Sequence, residues 1–230
     1  MGEPISEQWV AASVQGKSFA EVGGLWGTVN ERVTVAARAG AAETAMIDVI
    51  PPEDELWTLF RERAATFGVT GTSCVHANLD DPETPHRVGR FDVVFCSGIL
   101  YHCPAPLHTL QQLRAITAET LILGTASIPE TVTNSAGTVS VEPGAALLIP
   151  ALHQSQLAVL GQWLREVGAQ AVGVNHPLQD GWDLTDYAPW WWFFTRDHVA
   201  ALLRLAGFSV EAIASTWEGR ATLYLARAVD

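Results

Sequence analysis

Short apolar runs alternate with helix-patterned stretches along the first half of this chain, and that rhythm restricts the fold more than any other feature. The runs are residues 18–22 (SFAEV), 44–50 (TAMIDVI), 73–77 (SCVHA), 91–97 (FDVVFCS) and 120–124 (TLILG). Helical patterns fill the gaps at 28–39, 53–67 and 107–118, and a short helix is expected at 6–15. The 91–97 run is apolar at consecutive positions, as expected of a strand covered on both faces of its sheet. Strands alternating with helices at this spacing predict a parallel, doubly wound α/β sheet. Two more strands, 209–214 and 222–227, are joined through residues 217–220 (WEGR) as a hairpin-like C-terminus. Together they predict seven strands, mostly parallel, in a single domain spanning 1–230.

After Thr125 the rhythm breaks. Residues 126–150 are rich in Ser, Thr, Gly and Pro and read as loop or irregular strand. Residues 151–167 read as an amphipathic helix with Leu157, Leu160, Leu164 and Val167 at helical spacing. Residues 168–189 are again loop-like, and 195–206 return to a helix closed by Gly207. The stretch 126–194 therefore reads as a cap inserted into the domain, where a substrate region would lie.

Bulk properties exclude several classes. Hydrophobic residues make up 48% and charged residues 17%, which suits a compact enzyme and argues against disorder. The formal charge is −12, with Lys17 the sole lysine and no run of basic residues, so a nucleic-acid partner is not expected. The longest apolar stretches, such as 145–152, are about half the length that spans a bilayer. The opening MGEPISEQ has neither a basic nor an apolar signal region, and the expectation is a cytoplasmic protein without a membrane partner, monomeric or homodimeric. Cys74, Cys96 and Cys103 form no disulfide framework. His153 and His176 have no neighbours at metal-ligand spacing, and no metal is expected.

Four clusters carry chemistry. The first is FAEVGGLWG, residues 19–27, a glycine-rich turn that lets a ligand approach the backbone after a buried strand. A dinucleotide turn wants G-x-G-x-x-G, and in the matching frame Val22 stands where its first glycine belongs. An alternative frame, an acidic residue followed by glycines two and six positions on, is met by Glu21, Gly23 and Gly27, with Gly24 between them. The second cluster is Asp48, at the end of the next strand, where a carboxylate can accept both ribose hydroxyls of a nucleoside. The third is Asn78, Leu79 and Asp80 after the third strand, a polar and apolar pair suited to an adenine ring. The fourth is FDVVFCSGILYHCPAP, residues 91–106.

In this order, Glu21/Gly23/Gly27, Asp48, Asn78-Leu79 and FDVVFCSGILYH resemble the class I, Rossmann-like, S-adenosylmethionine-dependent methyltransferases over about residues 15–125 and 195–230. The LYH-x-x-x-P and PWWWFF…LLRLAGF segments are similar to the branch of tRNA wobble-uridine carboxymethyltransferase-like proteins. The resemblance implies S-adenosyl-L-methionine as cofactor and S-adenosyl-L-homocysteine as product, held by Glu21, Gly23, Gly24, Gly27, Asp48, Asn78, Leu79, Asp80 and Ser97. Leu25, in place of a common glycine, implies a bulkier wall to the cofactor turn. The tRNA-modifying relatives carry a long N-terminal extension and a basic surface. Here about eighteen residues precede the first strand, which favours a small-molecule acceptor with an O, N or C nucleophile, in biosynthesis.

His102 follows the fourth strand at the carboxyl edge, where open α/β sheets bind ligands, and is the candidate general base. Its other reading is a histidine bonding a loop carbonyl. Tyr101, His102, Trp191 and Trp192 are candidate substrate contacts, the two tryptophans within the aromatic run 189–194 (PWWWFF). Packing between cap and core explains much of that run. His153, His176, Asp183, Asp186 and His198 are reserve candidates around the cap. Two other classes stay open: a nicotinamide-dependent oxidoreductase and a non-catalytic nucleoside-binding protein.

Overall fold

The computed structural model of the chain describes residues 4–167 and 189–229. Five parallel strands form the body of the sheet: β1 (Ser18–Val22), β2 (Glu43–Asp48), β3 (Ser73–His76), β4 (Phe91–Ser97) and β5 (Thr117–Ala126). Two C-terminal strands, β10 (Phe208–Thr216) and β11 (Ala221–Ala228), complete seven strands in the order β10-β11-β5-β4-β1-β2-β3. β11 runs antiparallel to both β5 and β10, which makes the sheet mostly parallel. The order reverses between β1 and β4, so the carboxyl edges of those two strands open the crevice where such sheets take ligands.

Both faces are covered, as the unbroken apolar run of β4 requires. One face packs α1 (Ile5–Ser13), α2 (Val33–Arg38) and α3 (Glu55–Thr66) through Val10, Phe19, Met46, Trp57 and Phe60. The other packs α5 (Pro106–Ile116) and α7 (Arg196–Leu205) through Leu110, Leu113, Leu203 and Tyr224. The aspartate of the F-D-x-V run serves this frame directly. Asp92 Oδ2 accepts from the Ser18 amide and hydroxyl, each at 2.8 Å, and fixes the start of β4 against β1. These bonds hold its carboxyl below the usual carboxylate range.

Several boundaries differ from the sequence reading, each for a local reason. The helix expected over 28–39 is split into a 3-10 turn at Thr28–Asn30 and α2 at Val33–Arg38. Two buried carboxylates take the amides that a continuous helix would use: Glu21 accepts from Arg32 and Val33, and Glu31 accepts from Thr34. The helix expected to reach 118 ends at Ile116, because Thr117 and Ala118 already belong to β5. A short helix, α4 (Thr84–Val88), stands between β3 and β4 with Pro85 in its first turn.

The insert is more regular than its composition suggests. Within 126–150, β6 (Thr131–Asn134) and β7 (Gly137–Ser140) form a hairpin, its turn closed by the Ala136 amide donating to Asn134 Oδ1 at 3.0 Å. That hairpin packs on α6 (Gln154–Glu166), and Asn134 Nδ2 donates to the Val159 carbonyl at 2.8 Å. β8 (Ala146–Leu148) pairs antiparallel with β9 (Trp192–Phe194), and the Ile128 amide donates to the Phe194 carbonyl at 2.9 Å, which brings the two ends of the 126–194 stretch together. Among the described residues no helix is long and apolar enough to cross a membrane.

Candidate functional site

The carboxyl edges of β1, β2 and β4 place the first, second and fourth clusters side by side. Gly23 leaves β1 with φ 75, and a Cβ on it would lie 2.1 Å from Ile99 Cδ1. The backbone conformation therefore favours glycine there, and any side chain would also have to displace the end of Ile99. At Gly24 a Cβ would meet Met46 Cε at 2.6 Å and Glu21 Cδ at 2.7 Å. Gly27 is under no such constraint, since the nearest atom would be an ordinary 3.7 Å away.

Leu25, expected to thicken the wall of this turn, does not. Its side chain is fully buried with Phe19, Met46 and Trp57 under the sheet, and its amide donates to Asp48 Oδ2 at 3.1 Å. Trp26, the next residue, is 83% exposed. The turn is thus anchored from below at Leu25 while its neighbour projects into solvent.

Glu21 lies beneath the turn. Its Oε2 accepts from the Arg32 amide at 2.6 Å and the Val33 amide at 3.1 Å, at the start of α2. Burial pushes its pKa up to about 8, opposed by those two N–H groups and reinforced by the charge of Glu31. Asp48 is buried at the end of β2, with Oδ1 accepting from Ile50 at 3.1 Å and Oδ2 from Leu25. Burial raises its pKa too, partly offset by the amides of Leu25, Ile50 and Val49 and by His76. A carboxylate offers about four acceptor positions, so Asp48 keeps acceptor capacity for a hydroxyl donor beyond its amides.

Beyond β3, Asn78 Oδ1 accepts from the Asp80 amide at 2.9 Å, an Asx turn that sets the direction of this loop. Leu79 is buried, and Asp80 faces α5, where its Oδ1 accepts from the Thr109 hydroxyl at 2.8 Å. At the end of β4, Ser97 Oγ leans on β5, 2.3 Å from where a Cβ on Gly124 would stand.

After Ser97 the chain forms a 3-10 turn, Leu100–His102. Tyr101 is buried and packs its ring on Trp190 at 4.1 Å, and the Trp191 amide donates to the Tyr101 carbonyl at 2.8 Å. His102 Nδ1 lies 3.0 Å from the Pro189 carbonyl. A carbonyl can only accept, so Nδ1 carries the proton and Nε2 is the acceptor nitrogen of the neutral ring. In the aromatic run Trp190, Trp191, Phe193 and Phe194 are buried, while Trp192 is half-buried with its Nε1 donating to the Pro104 carbonyl at 3.3 Å. These contacts tie the insert to the β4 edge.

The reserve residues divide. His198 Nδ1 is held by the Gly144 carbonyl at 2.8 Å, and His153 is exposed before α6. His176, Asp183 and Asp186 lie outside the described residues. Among the described residues no three His, Cys, Asp or Glu side chains gather as metal ligands. Cys96 and Cys103 are buried, and burial raises both thiols, Cys103 to about 12, so neither is a nucleophile.

One residue of this edge is missing from the sequence reading. Trp217, in the turn between β10 and β11, has φ 48 and brings its ring to the β4 edge beside Gly98. The WEGR segment signals a turn, but nothing in it shows which strand end the tryptophan reaches.

A cleft of about 850 Å³ lies at the other end of the sheet, around the amino-terminal ends of β2, β3 and β4, lined by Arg38, Arg87, Arg90 and Glu43. It is broad and open, and the glycine turn and Asp48 are at the opposite edge. The carboxyl edge, with its glycine turn and buried carboxylates, is the edge at which open α/β sheets take ligands.

No family model and no curated protein matches the chain. Solved structures do. Magnesium protoporphyrin IX methyltransferase from Synechocystis PCC 6803, with bound SAH, is 14% identical with TM-score 0.57, over 97% of this chain and 80% of that one. The 1,6-didemethyltoxoflavin-N1-methyltransferase of Burkholderia thailandensis, bound to 1,6-didemethyltoxoflavin and S-adenosylhomocysteine, is 12% identical with TM-score 0.56, over 99% and 80%. A protein of Bacillus halodurans C-125 assigned as a methyltransferase is 14% identical with TM-score 0.62, over 98% of both chains. At such low identity these likenesses establish architecture, and the chain has the Rossmann-like α/β fold of the class I methyltransferases.

Proposed function

We propose that this chain is an S-adenosylmethionine-dependent methyltransferase acting on a small-molecule acceptor. The observation that carries the reading is the bond between the Leu25 amide and Asp48 Oδ2, which joins the glycine turn of β1 to the carboxylate of β2. It sets a close-approach backbone surface next to an acceptor of ribose hydroxyls. The residues fit the cofactor in their donor set, a buried Asp48 carboxylate with acceptor capacity left over beside a glycine turn in which Gly23 takes φ 75.

In this reading Asp48 takes the ribose hydroxyls, and the turn that follows Gly23 meets the amino-acid part. Glu21 sets the turn from beneath through the start of α2. Asn78 and Leu79 border the adenine, with Asp80 holding their loop to α5 and Ser97 closing the β4 side. When bound, the cofactor would supply an electrophilic methyl carbon carried by a sulfonium that leaves as a neutral thioether. The chain's task is alignment of acceptor, carbon and sulfur with water excluded. His102 Nε2 is the candidate acceptor of the proton that an O–H or N–H nucleophile gives up.

Structural neighbours that act on small molecules, among them the toxoflavin-precursor and protoporphyrin enzymes, support a small acceptor and a biosynthetic reaction. The resemblance of the LYH segment to tRNA wobble-uridine enzymes makes tRNA the second acceptor class, against which the net charge of −12 argues. Calorimetric titration with S-adenosylhomocysteine tests the reading, with NADH and NADPH as controls. Micromolar binding of the homocysteine compound alone is expected. Binding of a nicotinamide in its place overturns it.

A further inference from the structure

Trp217 is the one non-glycine residue with positive φ among the described residues. A bulky L side chain rarely adopts that conformation, and it persists only where the surroundings hold it. Arg220 does the holding. Its amide and its Nε donate to the Trp217 carbonyl at 3.2 and 2.7 Å, and its Nη1 donates to the Val167 carbonyl at 2.7 Å, at the end of α6. The ring is 41% exposed, so burial is not what the twisted backbone secures.

What it secures is a position. Trp217 Cη2 lies 3.8 Å from where a Cβ on Gly98 would be, and the Tyr101 hydroxyl oxygen lies 3.8 Å from the same point. Gly98 itself has φ 84 and presents no side chain where these two tips converge. The next residue, Ile99, touches Gly23, so this point shares a wall with the proposed cofactor turn. Burial keeps the Tyr101 hydroxyl protonated, leaving it able to donate.

We propose that Trp217 and Tyr101 frame a slot over Gly98 for a flat, aromatic acceptor, its ring against the indole and a polar edge toward the tyrosine hydroxyl. Stacking rewards planarity, and a puckered ring of the same size loses that contact. The proposal rests on the methyltransferase reading for the name of the ligand, while the slot itself is a property of these residues. Arg220 acts through Trp217 and is a positioning residue.

The test titrates the protein with 2-naphthol and with decahydro-2-naphthol, which share a skeleton and a hydroxyl but differ in planarity. Titrations are run with and without S-adenosylhomocysteine. The planar compound is expected to bind about tenfold more tightly, near the upper end for an aromatic pair. Trp217→Phe should keep most of that preference and Trp217→Ala should lose it. Equal affinities in the wild type, no binding of 2-naphthol up to millimolar concentration, or an undiminished preference in folded Trp217→Ala each overturn the slot. The wild-type comparison needs no variant to fold. Binding of S-adenosylhomocysteine is read separately: its presence without planar preference defeats the slot alone, and its absence defeats the cofactor reading while the planar preference still decides the slot.

Discussion

Asp48 and Glu21 are both buried carboxylates at strand ends, yet their partners differ and so do their expected effects. Asp48 is bonded to two loop amides and has acceptor capacity left over. Asp48→Ala should weaken S-adenosylhomocysteine by at least about tenfold, or about 1.4 kcal/mol. Unchanged affinity in the folded variant, measured by calorimetry, would remove the ribose role. Glu21 makes a statement about stability. Its folded pKa, about 8, stands above the unfolded value near 4.5, so the native state binds the extra proton. Its contribution is whole below the unfolded pKa and is lost as pH rises toward 8, by up to about 1.4 kcal/mol per pH unit. Asp48, also raised, acts in the same direction. Glu21→Gln should flatten the decline between pH 6 and 8, as read by urea denaturation; an equally steep decline would show that another group titrates.

At the scale of elements, the legible parts are those whose pattern is local. The FDVVFCS run is β4 residue for residue, because a strand buried on both faces writes itself as continuous apolar sequence. Gly23 and Asp48 fall at strand ends because the turn and the crevice both belong there. The split helix at 28–39 was not legible, since its cause is Glu21 reaching from β1 to the amides of residues 32 and 33. The β6–β7 hairpin escaped because its strands alternate Thr with Val or Ser and are mostly exposed, resembling loop composition. Trp217 escaped for a further reason: positive φ at a non-glycine residue is imposed by tertiary bonds and leaves no trace in composition. The helix break also makes a prediction. Glu31 is buried and accepts from the Thr34 amide and hydroxyl and from Arg63 Nε. Glu31→Ala strips all three donors and should cost about 1–3 kcal/mol. Thermal unfolding checks it; a loss below about 0.5 kcal/mol would mean the α2 start is held otherwise.

For the molecule as a whole, the sheet has a centre and two unequal margins. β1, β4 and β5 have paired neighbours on both sides and cover on both faces, whereas β3 is a four-residue margin with Ser73 and His76 exposed. Hydrogen exchange should therefore be slowest at the amides of β4 and β5 and much faster in β3. Equal protection in β3 and β4 would show that something further covers that margin. The opposite margin is better secured. Arg114, on α5, donates from Nε to the Gly207 carbonyl at 3.0 Å and from Nη2 to the Val229 carbonyl at 2.8 Å, clamping both ends of the β10–β11 hairpin. The hairpin that carries Trp217 is thus fastened to the body of the fold.

Leu25 gives the glycine turn a character that its glycines alone would not. Loops that meet ligands are commonly the first parts of a protein to loosen, and their ordering is subtracted from the strength of binding. Here the side chain of the turn's middle residue is one of the stones of the foundation, buried with Phe19 and Trp57. On the proposed reading, the surface that meets the cofactor is therefore set before the cofactor arrives. Little rearrangement stands between encounter and capture, and a mutation deep under the sheet would be felt at the mouth of the site.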